Sequence, residues 1–174
     1  MNTIQLFSHL SNIVTVIAFL FAAYQFFLWR KQQRYSLEIE SLLNMEDLFE
    51  IYVAALMRVH GYFDKANKLA IEAKDKAVED RRNLDEYLRG RFRDMISESA
   101  REINEQSTSY SLARYRVIRL NFDIDTKNEL DPEWLRDKFD EFLQRNNSLE
   151  EVAGEISKIK KVAYEEFKIL RSSI

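Results

Sequence analysis

The most constraining feature of this chain is an apolar run at residues 10–29 that contains no Asp, Glu, Lys or Arg. A helix rises about 1.5 Å per residue and needs roughly 20 residues to cross a hydrocarbon core of about 30 Å. The run has this length, so we expect it to form a single membrane-spanning helix. A cleaved signal peptide carries positive charges before its apolar stretch, whereas here they follow it. We therefore expect an uncleaved anchor.

A basic collar follows the apolar run directly and consists of Arg30, Lys31 and Arg34. Lys and Arg accumulate on the cytoplasmic side of membrane helices. The collar at residues 30–34 therefore predicts that residues 1–9 form a short extracytoplasmic N-terminus. The same rule places residues 35–174 in the cytoplasm, beneath the inner or plasma membrane of the cell.

Small and polar side chains recur along one face of the apolar run, at alternating spacings of three and four residues. This heptad spacing favours a left-handed crossing of helices, and small residues allow membrane helices to approach closely. Gln25 adds an amide that favours a partner in hydrocarbon, although it also lies close enough to the collar to reach lipid headgroups. We expect the face to drive self-association or packing with another membrane subunit. This packing seam consists of Ser8, Ser11, Thr15, Ala18, Ala22, Gln25 and Trp29.

The composition of residues 35–174 argues against several classes of function. This part carries 23 basic and 29 acidic side chains, a net charge of −6, so attraction to nucleic acid is not expected. Cysteine is absent and His9 and His60 are the only histidines, which disfavours metal sites built on these ligands. The sequence also lacks a Gly-rich phosphate loop and a nucleophile elbow. We therefore predict no cofactor, no metal and no enzyme activity.

The scarcity of helix breakers, with three Gly and one Pro in the chain, predicts an all-α protein. We expect the membrane helix to continue into the cytoplasm and to end near His60, with Gly61 as its C-cap. Residues 62–105 have a helical pattern that fits one long helix or two shorter ones. The polar stretch 104–109 predicts a loop, and residues 110–121 predict a short helix after it.

Two further helices have clear start signals. Asp131 followed by Pro132 is typical of an N-cap and first helical residue, and the Asn pair at residues 146–147 is expected to end that helix. Ser148 with Glu151 forms a capping-box pattern for the last helix. Together these patterns predict a cytoplasmic antiparallel helical bundle with long, coiled-coil-like helices.

One segment of the cytoplasmic part has an unusual local charge. Residues 106–122 contain three arginines and no acidic residue, with tyrosines interleaved. Guanidinium groups suit phosphate and carboxylate ligands, so this segment is a candidate anion-binding face. The alternative is an ordinary salt-bridged helix surface, which the preceding arginines from Arg81 to Arg101 favour because acidic residues are interspersed among them. The candidate face consists of Tyr110, Arg114, Tyr115, Arg116 and Arg119.

These features favour a single-pass membrane protein that forms homo-oligomers, or joins another membrane subunit, through its seam. Its cytoplasmic bundle would act in protein–protein interaction, as an adaptor or regulatory module that docks a cytoplasmic protein. An alternative from another class is a membrane-perturbing effector, whose membrane helices assemble into a lesion or pore upon a signal.

Overall fold

The chain is all-helical in the computed structural model, which describes residues 3–74, 78–145 and 148–174, with side chains at 12–65, 68, 86, 90, 92–145 and 148–174. No strand occurs among these residues, so the prediction of an all-α protein is confirmed. The chain divides into two compact units, Met1–Glu40 and Ser41–Ile174, which are described separately. The helices are α1 (Thr3–Lys74), α2 (Val78–Arg119), a 3-10 turn (Asn128–Leu130), α3 (Pro132–Gln144) and α4 (Leu149–Ser172).

Helix α1 is longer than predicted, because it passes through Gly61 and ends at Lys74. A glycine caps a helix by adopting a left-handed backbone, and no described glycine has a positive φ. The expected helix end near His60 is therefore wrong. Glycine inside a helix costs only about 1 kcal/mol relative to Ala, and the following turn contains an ion pair between Asp64 and Lys68 (2.7 Å).

The loop predicted at residues 104–109 is also wrong, because α2 continues through this stretch. The hydroxyl groups that suggested a loop are satisfied inside the helix. Thr108 Oγ1 donates to the Asn104 carbonyl (2.8 Å), and Ser109 Oγ donates to the Glu105 carbonyl (2.9 Å). Such bonds to the preceding turn let Ser and Thr remain in a helix. The short helix predicted at residues 110–121 is therefore the last part of α2.

The region left open at residues 62–105 belongs to two helices, with α1 ending at Lys74 and α2 beginning at Val78. Residues 75–77 lie outside the described residues. Helix α2 ends at Arg119, and Asn121 follows with φ of 68°. Asparagine tolerates this left-handed conformation better than most residues, which suits it to the turn that ends the helix.

The start signals of α3 and α4 are confirmed. Asp131 Oδ1 accepts hydrogen bonds from the backbone of Glu133 and Trp134 (both 2.9 Å), and proline occupies the first helical position. Ser148 Oγ accepts from the Glu151 backbone (3.3 Å), and the Glu151 carboxylate accepts from the Ser148 backbone (3.0 Å). The predicted helix end at residues 146–147 lies outside the described residues, and α3 ends at Gln144.

The unit Ser41–Ile174 has one apolar core, to which all four helices and the segment before α3 contribute. Phe49 of α1 lies near its centre, with ring centroids 5.8 Å from both Tyr110 of α2 and Phe167 of α4. Burying an aromatic or large aliphatic side chain contributes about 1.5–3 kcal/mol. The core residues are Leu42, Met45, Phe49, Tyr52, Val53, Leu56, Tyr110, Ala113, Val117, Ile124, Leu130, Leu135, Phe139, Phe142, Val152, Ile156, Ala163, Phe167 and Leu170.

Candidate functional site

The apolar run lies in the first unit, where α1 exposes every described side chain from residue 12 to residue 27. The exposed fractions are large even for the bulkiest residues, with 72% for Phe19 and 66% for Phe27. The most apolar 18-residue window has a mean hydropathy of 1.8, and none of it is buried. The helix is therefore long and apolar enough to cross a membrane.

The packing seam predicted from the sequence falls within α1, so its three- and four-residue spacing places its members along one face of that helix. Thr15, Ala18, Ala22 and Gln25 are exposed within the unit. Trp29 is also exposed, and its ring lies 5.9 Å from that of Phe26, measured between centroids. The side chains of the first two seam residues, at positions 8 and 11, lie outside those described.

The collar divides into paired and unpaired charges. Arg34 Nε donates to Glu38, one turn later on α1, at 2.7 Å. Arg30 and Lys31 are exposed, and neither takes part in an ion pair with any residue that the structure describes. Two positive charges thus remain available directly beside the apolar run.

The second unit separates the five residues of the candidate anion-binding face into two groups. Tyr110 is fully buried, and its hydroxyl donates to the Leu130 carbonyl at 2.7 Å. Tyr115 is 62% exposed, and Arg116 and Arg119 are exposed as well. Neither of these two arginines pairs with a carboxylate within residues 92–145 and 148–174. Three of the five residues thus share the surface of α2.

Arg114 belongs to the interior group and connects three segments of the unit. Its side chain is 14% exposed, and Nη2 donates to the Ile124 carbonyl at 3.2 Å. The same nitrogen lies 3.5 Å from Asp125 and 3.7 Å from Asp131, the N-cap of α3. Its Nε is buried and has no hydrogen-bond partner among the described residues. Oxygen atoms of the protein therefore already surround Nη2 of the guanidinium.

A cluster around Glu50 was not predicted from the sequence. Its carboxylate accepts hydrogen bonds from Lys160 (2.5 Å) and from the Tyr164 hydroxyl, both on α4. Burial alone would raise the pKa of the Glu50 carboxyl, but these two hydrogen bonds lower the pKa below its usual range. Burial and the Glu50 carboxylate raise the pKa of Tyr164 to about 12. A second ion pair joins the same helices, between Glu46 and Arg171 (2.6 Å).

The buried tyrosines form a second unpredicted feature. Tyr52 and Tyr110 stack with centroids 5.9 Å apart, and the Tyr52 hydroxyl donates to the Pro132 carbonyl at 3.0 Å. Burial raises the pKa of both phenols. Nothing local to either tyrosine in the sequence indicated its carbonyl partner.

The described residues present exposed surfaces and a packed core. Within the part of the chain that the structure describes, no group of three or more His, Asp or Glu is arranged to hold a metal ion. No family model, curated protein or solved structure matches the chain. The features available for function are the exposed apolar helix, its unpaired basic residues and the exposed arginines of α2.

Proposed function

We propose that this chain is a single-pass membrane protein whose helical C-terminal unit acts as a docking or regulatory module. The observation that carries the proposal is that every apolar side chain at residues 12–27 of α1 is exposed. Leaving a large apolar side chain in water rather than buried costs about 1.5–3 kcal/mol. A contiguous exposed segment of this kind needs a lipid or protein environment to cover it.

The orientation is part of the proposal and depends on the collar. Arg30 and Lys31 are exposed and free of ion pairs with described residues, so their full charge is available to act during insertion. Positive residues beside a membrane helix remain on the cytoplasmic side. We therefore place residues 1–9 outside the cell membrane and residues 35–174 in the cytoplasm.

The seam supplies the proposed contact within the membrane. Ala18 and Ala22 would allow a second helix to approach closely, and Gln25 would donate or accept a hydrogen bond across the interface. The partner is a second copy of this chain or another membrane subunit. Both arrangements use the same face of α1.

The C-terminal unit is proposed to be an antiparallel helical bundle that binds a cytoplasmic protein. Its side-chain contacts support this topology, because Glu46 pairs with Arg171 whereas Glu50, further along α1, pairs with the earlier residue Lys160. The contacts between α1 and α2 follow the same opposite order, from Phe49 with Tyr110 to Arg58 with Glu102. The role that we propose is non-catalytic.

The absence of native cysteine makes a direct test of the topology possible, because each introduced cysteine would be the only thiol in the chain. Asn2→Cys and Ser173→Cys report on the two ends. We expect both variants to remain with membranes after carbonate extraction. A membrane-impermeant maleimide should label Asn2→Cys in intact cells and Ser173→Cys only after permeabilisation. Release of the chain by carbonate would contradict the anchor, and the reverse labelling pattern would contradict the orientation.

A further inference from the structure

Helices α1 and α2 pair along the unit Ser41–Ile174 in a regular register. Tyr52 stacks on Tyr110, and Arg58, six residues later on α1, forms an ion pair with Glu102 on α2. The sequence numbers of contacting residues therefore rise on one helix as they fall on the other. This register places residue 60 of α1 opposite residues 99 and 100 of α2.

His60 occupies that position and is buried. Its side chain continues the apolar stripe that contains Tyr52 and Leu56, and only 3% of the residue is exposed. Neither Nδ1 nor Nε2 has a hydrogen-bond partner on another residue that the structure describes. Ser99, across the register on α2, is the other buried polar residue of this layer. A neutral imidazole without partners can stay in such a layer, but a charged one requires solvent or an acceptor.

None of the described charged groups around His60 forms a hydrogen bond with its imidazole. Asp64, one turn later on α1, is the carboxylate whose charge acts on the imidazole, and it already accepts a hydrogen bond from Lys68. Glu102 of α2 is paired with Arg58. The remaining described charges on nearby turns of α2 and α4, at Asp94, Glu98, Arg101, Glu150, Glu151 and Glu155, are on exposed residues.

We infer that His60 is a pH-sensitive element whose protonation loosens the contact between α1 and α2 around residues 56–64 and 95–103. The imidazolium carries two N–H donors, one more than the neutral ring, and both require water or an acceptor oxygen. While the layer stays closed, no other described residue accepts a hydrogen bond from either nitrogen. Protonation of the His60 imidazole is therefore favoured in the opened form and disfavoured in the closed form. The inference concerns the second unit alone and does not depend on the proposed membrane role.

The direction of the pH effect follows from the burial of the imidazole. Desolvation lowers the pKa of His60 in the closed form, and the charge of Asp64 only partly offsets this. The opened form therefore holds more protons than the closed form below the ordinary pKa of about 6.5. The equilibrium constant for opening should rise by up to about tenfold for each pH unit below that value. Above it, opening should be independent of pH.

Hydrogen exchange of the full chain in mild detergent tests this inference. Protection factors at pH 7.5 and pH 5.5 are compared, since they correct for the intrinsic pH dependence of exchange. We expect several-fold loss of protection at pH 5.5 in residues 56–64 and 95–103, with residues around Tyr110 unchanged. In His60→Gln, which keeps a polar side chain but cannot titrate, the loss should disappear. His9→Asn removes the other histidine and should behave as the wild type.

Unchanged protection of the wild type between the two pH values would overturn the inference. An equal loss of protection in His60→Gln would overturn it as well. His60→Leu serves as a second non-titrating variant if the glutamine variant does not fold. The ring signals of His60, assigned by comparison with His9→Asn, give an independent measurement. An imidazole that titrates at its ordinary pKa while both segments stay protected would equally contradict the inference.

Discussion

The rings of Tyr52 and Tyr110 stack with their centroids 5.9 Å apart, and their hydroxyls donate to backbone carbonyls two residues apart, at Pro132 and Leu130. One tyrosine comes from α1 and the other from α2, so both long helices bind the start of α3. Burial raises the pKa of both phenols, which keeps them protonated and able to donate. The pair thus ties three separate segments together through two buried hydrogen bonds.

Removing one of these hydroxyls should destabilise the second unit. In Tyr110→Phe the ring remains but the Leu130 carbonyl loses its donor, and a buried acceptor without a partner costs about 1–3 kcal/mol. The free energy of unfolding, measured by urea denaturation of the full chain in detergent, should fall by that amount. Tyr115→Phe, on the exposed side of the same helix, is the matched control and should change it by less than about 0.5 kcal/mol. Equal losses in the two variants would contradict the assigned role.

Replacing Arg114 by Ala should lower the free energy of unfolding more than replacing its exposed neighbours on α2. Arg114→Ala removes the donor to the Ile124 carbonyl and the positive charge beside Asp125 and Asp131. We expect a loss of about 1–3 kcal/mol in the free energy of unfolding. Arg116→Ala, which removes the same group at an exposed site, should stay within about 0.5 kcal/mol of the wild type. A loss in Arg114→Ala no greater than the loss in Arg116→Ala would contradict a stabilising role of the interior contacts of Arg114.

The Glu50 cluster should make the free energy of unfolding depend on pH in the acidic range. Because the pKa of Glu50 is lowered in the folded chain, its contribution is fully present above the unfolded pKa. It is lost as the pH falls through the lower folded value. Glu50→Gln removes this titration. The difference in unfolding free energy between the wild type and Glu50→Gln should be about 0.2–1 kcal/mol at pH 7. It should shrink as the pH falls below about 4, and a difference constant with pH would refute the prediction.

The packing seam should be sensitive to side-chain size on one face of α1 alone. Ala22→Leu introduces a bulky group where close approach is proposed. We expect it to reduce the multimers of the full chain in mild detergent, measured as mass by light scattering. Leu20→Ala alters the opposite face and should leave the mass unchanged. A monomeric wild type would indicate that the seam serves another membrane subunit, whereas unaffected multimers in Ala22→Leu would contradict the seam as the contact.

Features that depend on near neighbours could be predicted from the sequence. The all-helical class follows from the scarcity of Gly and Pro, and the exposed apolar segment is visible as an uncharged run at residues 10–29. The capping patterns at Asp131 and Ser148 were also correct. Their hydrogen bonds join groups two or three residues apart, so the local sequence contains both partners.

Helix ends were predicted less well where a weak local signal competes with a long helix. Gly61 and the polar residues 104–109 resemble breaks, yet both lie inside helices. A single glycine costs about 1 kcal/mol, which the continuing backbone hydrogen bonds and packing of α1 can offset. The hydroxyls of Thr108 and Ser109 bond to the preceding turn instead of ending it. A difference in helix propensity of about 1 kcal/mol sets a helix end only where tertiary packing favours neither outcome.

The sequence by itself determined where this protein is apolar, where it is charged and where two of its helices begin. Only the tertiary structure decided which of the five residues from Tyr110 to Arg119 lie inside and that Glu50 accepts hydrogen bonds from Lys160 and Tyr164. It also decided that His60 is buried without a hydrogen-bond partner on another described residue. The physical reason is distance along the chain. These contacts join groups tens of residues apart, so burial and pairing arise when the helices pack together.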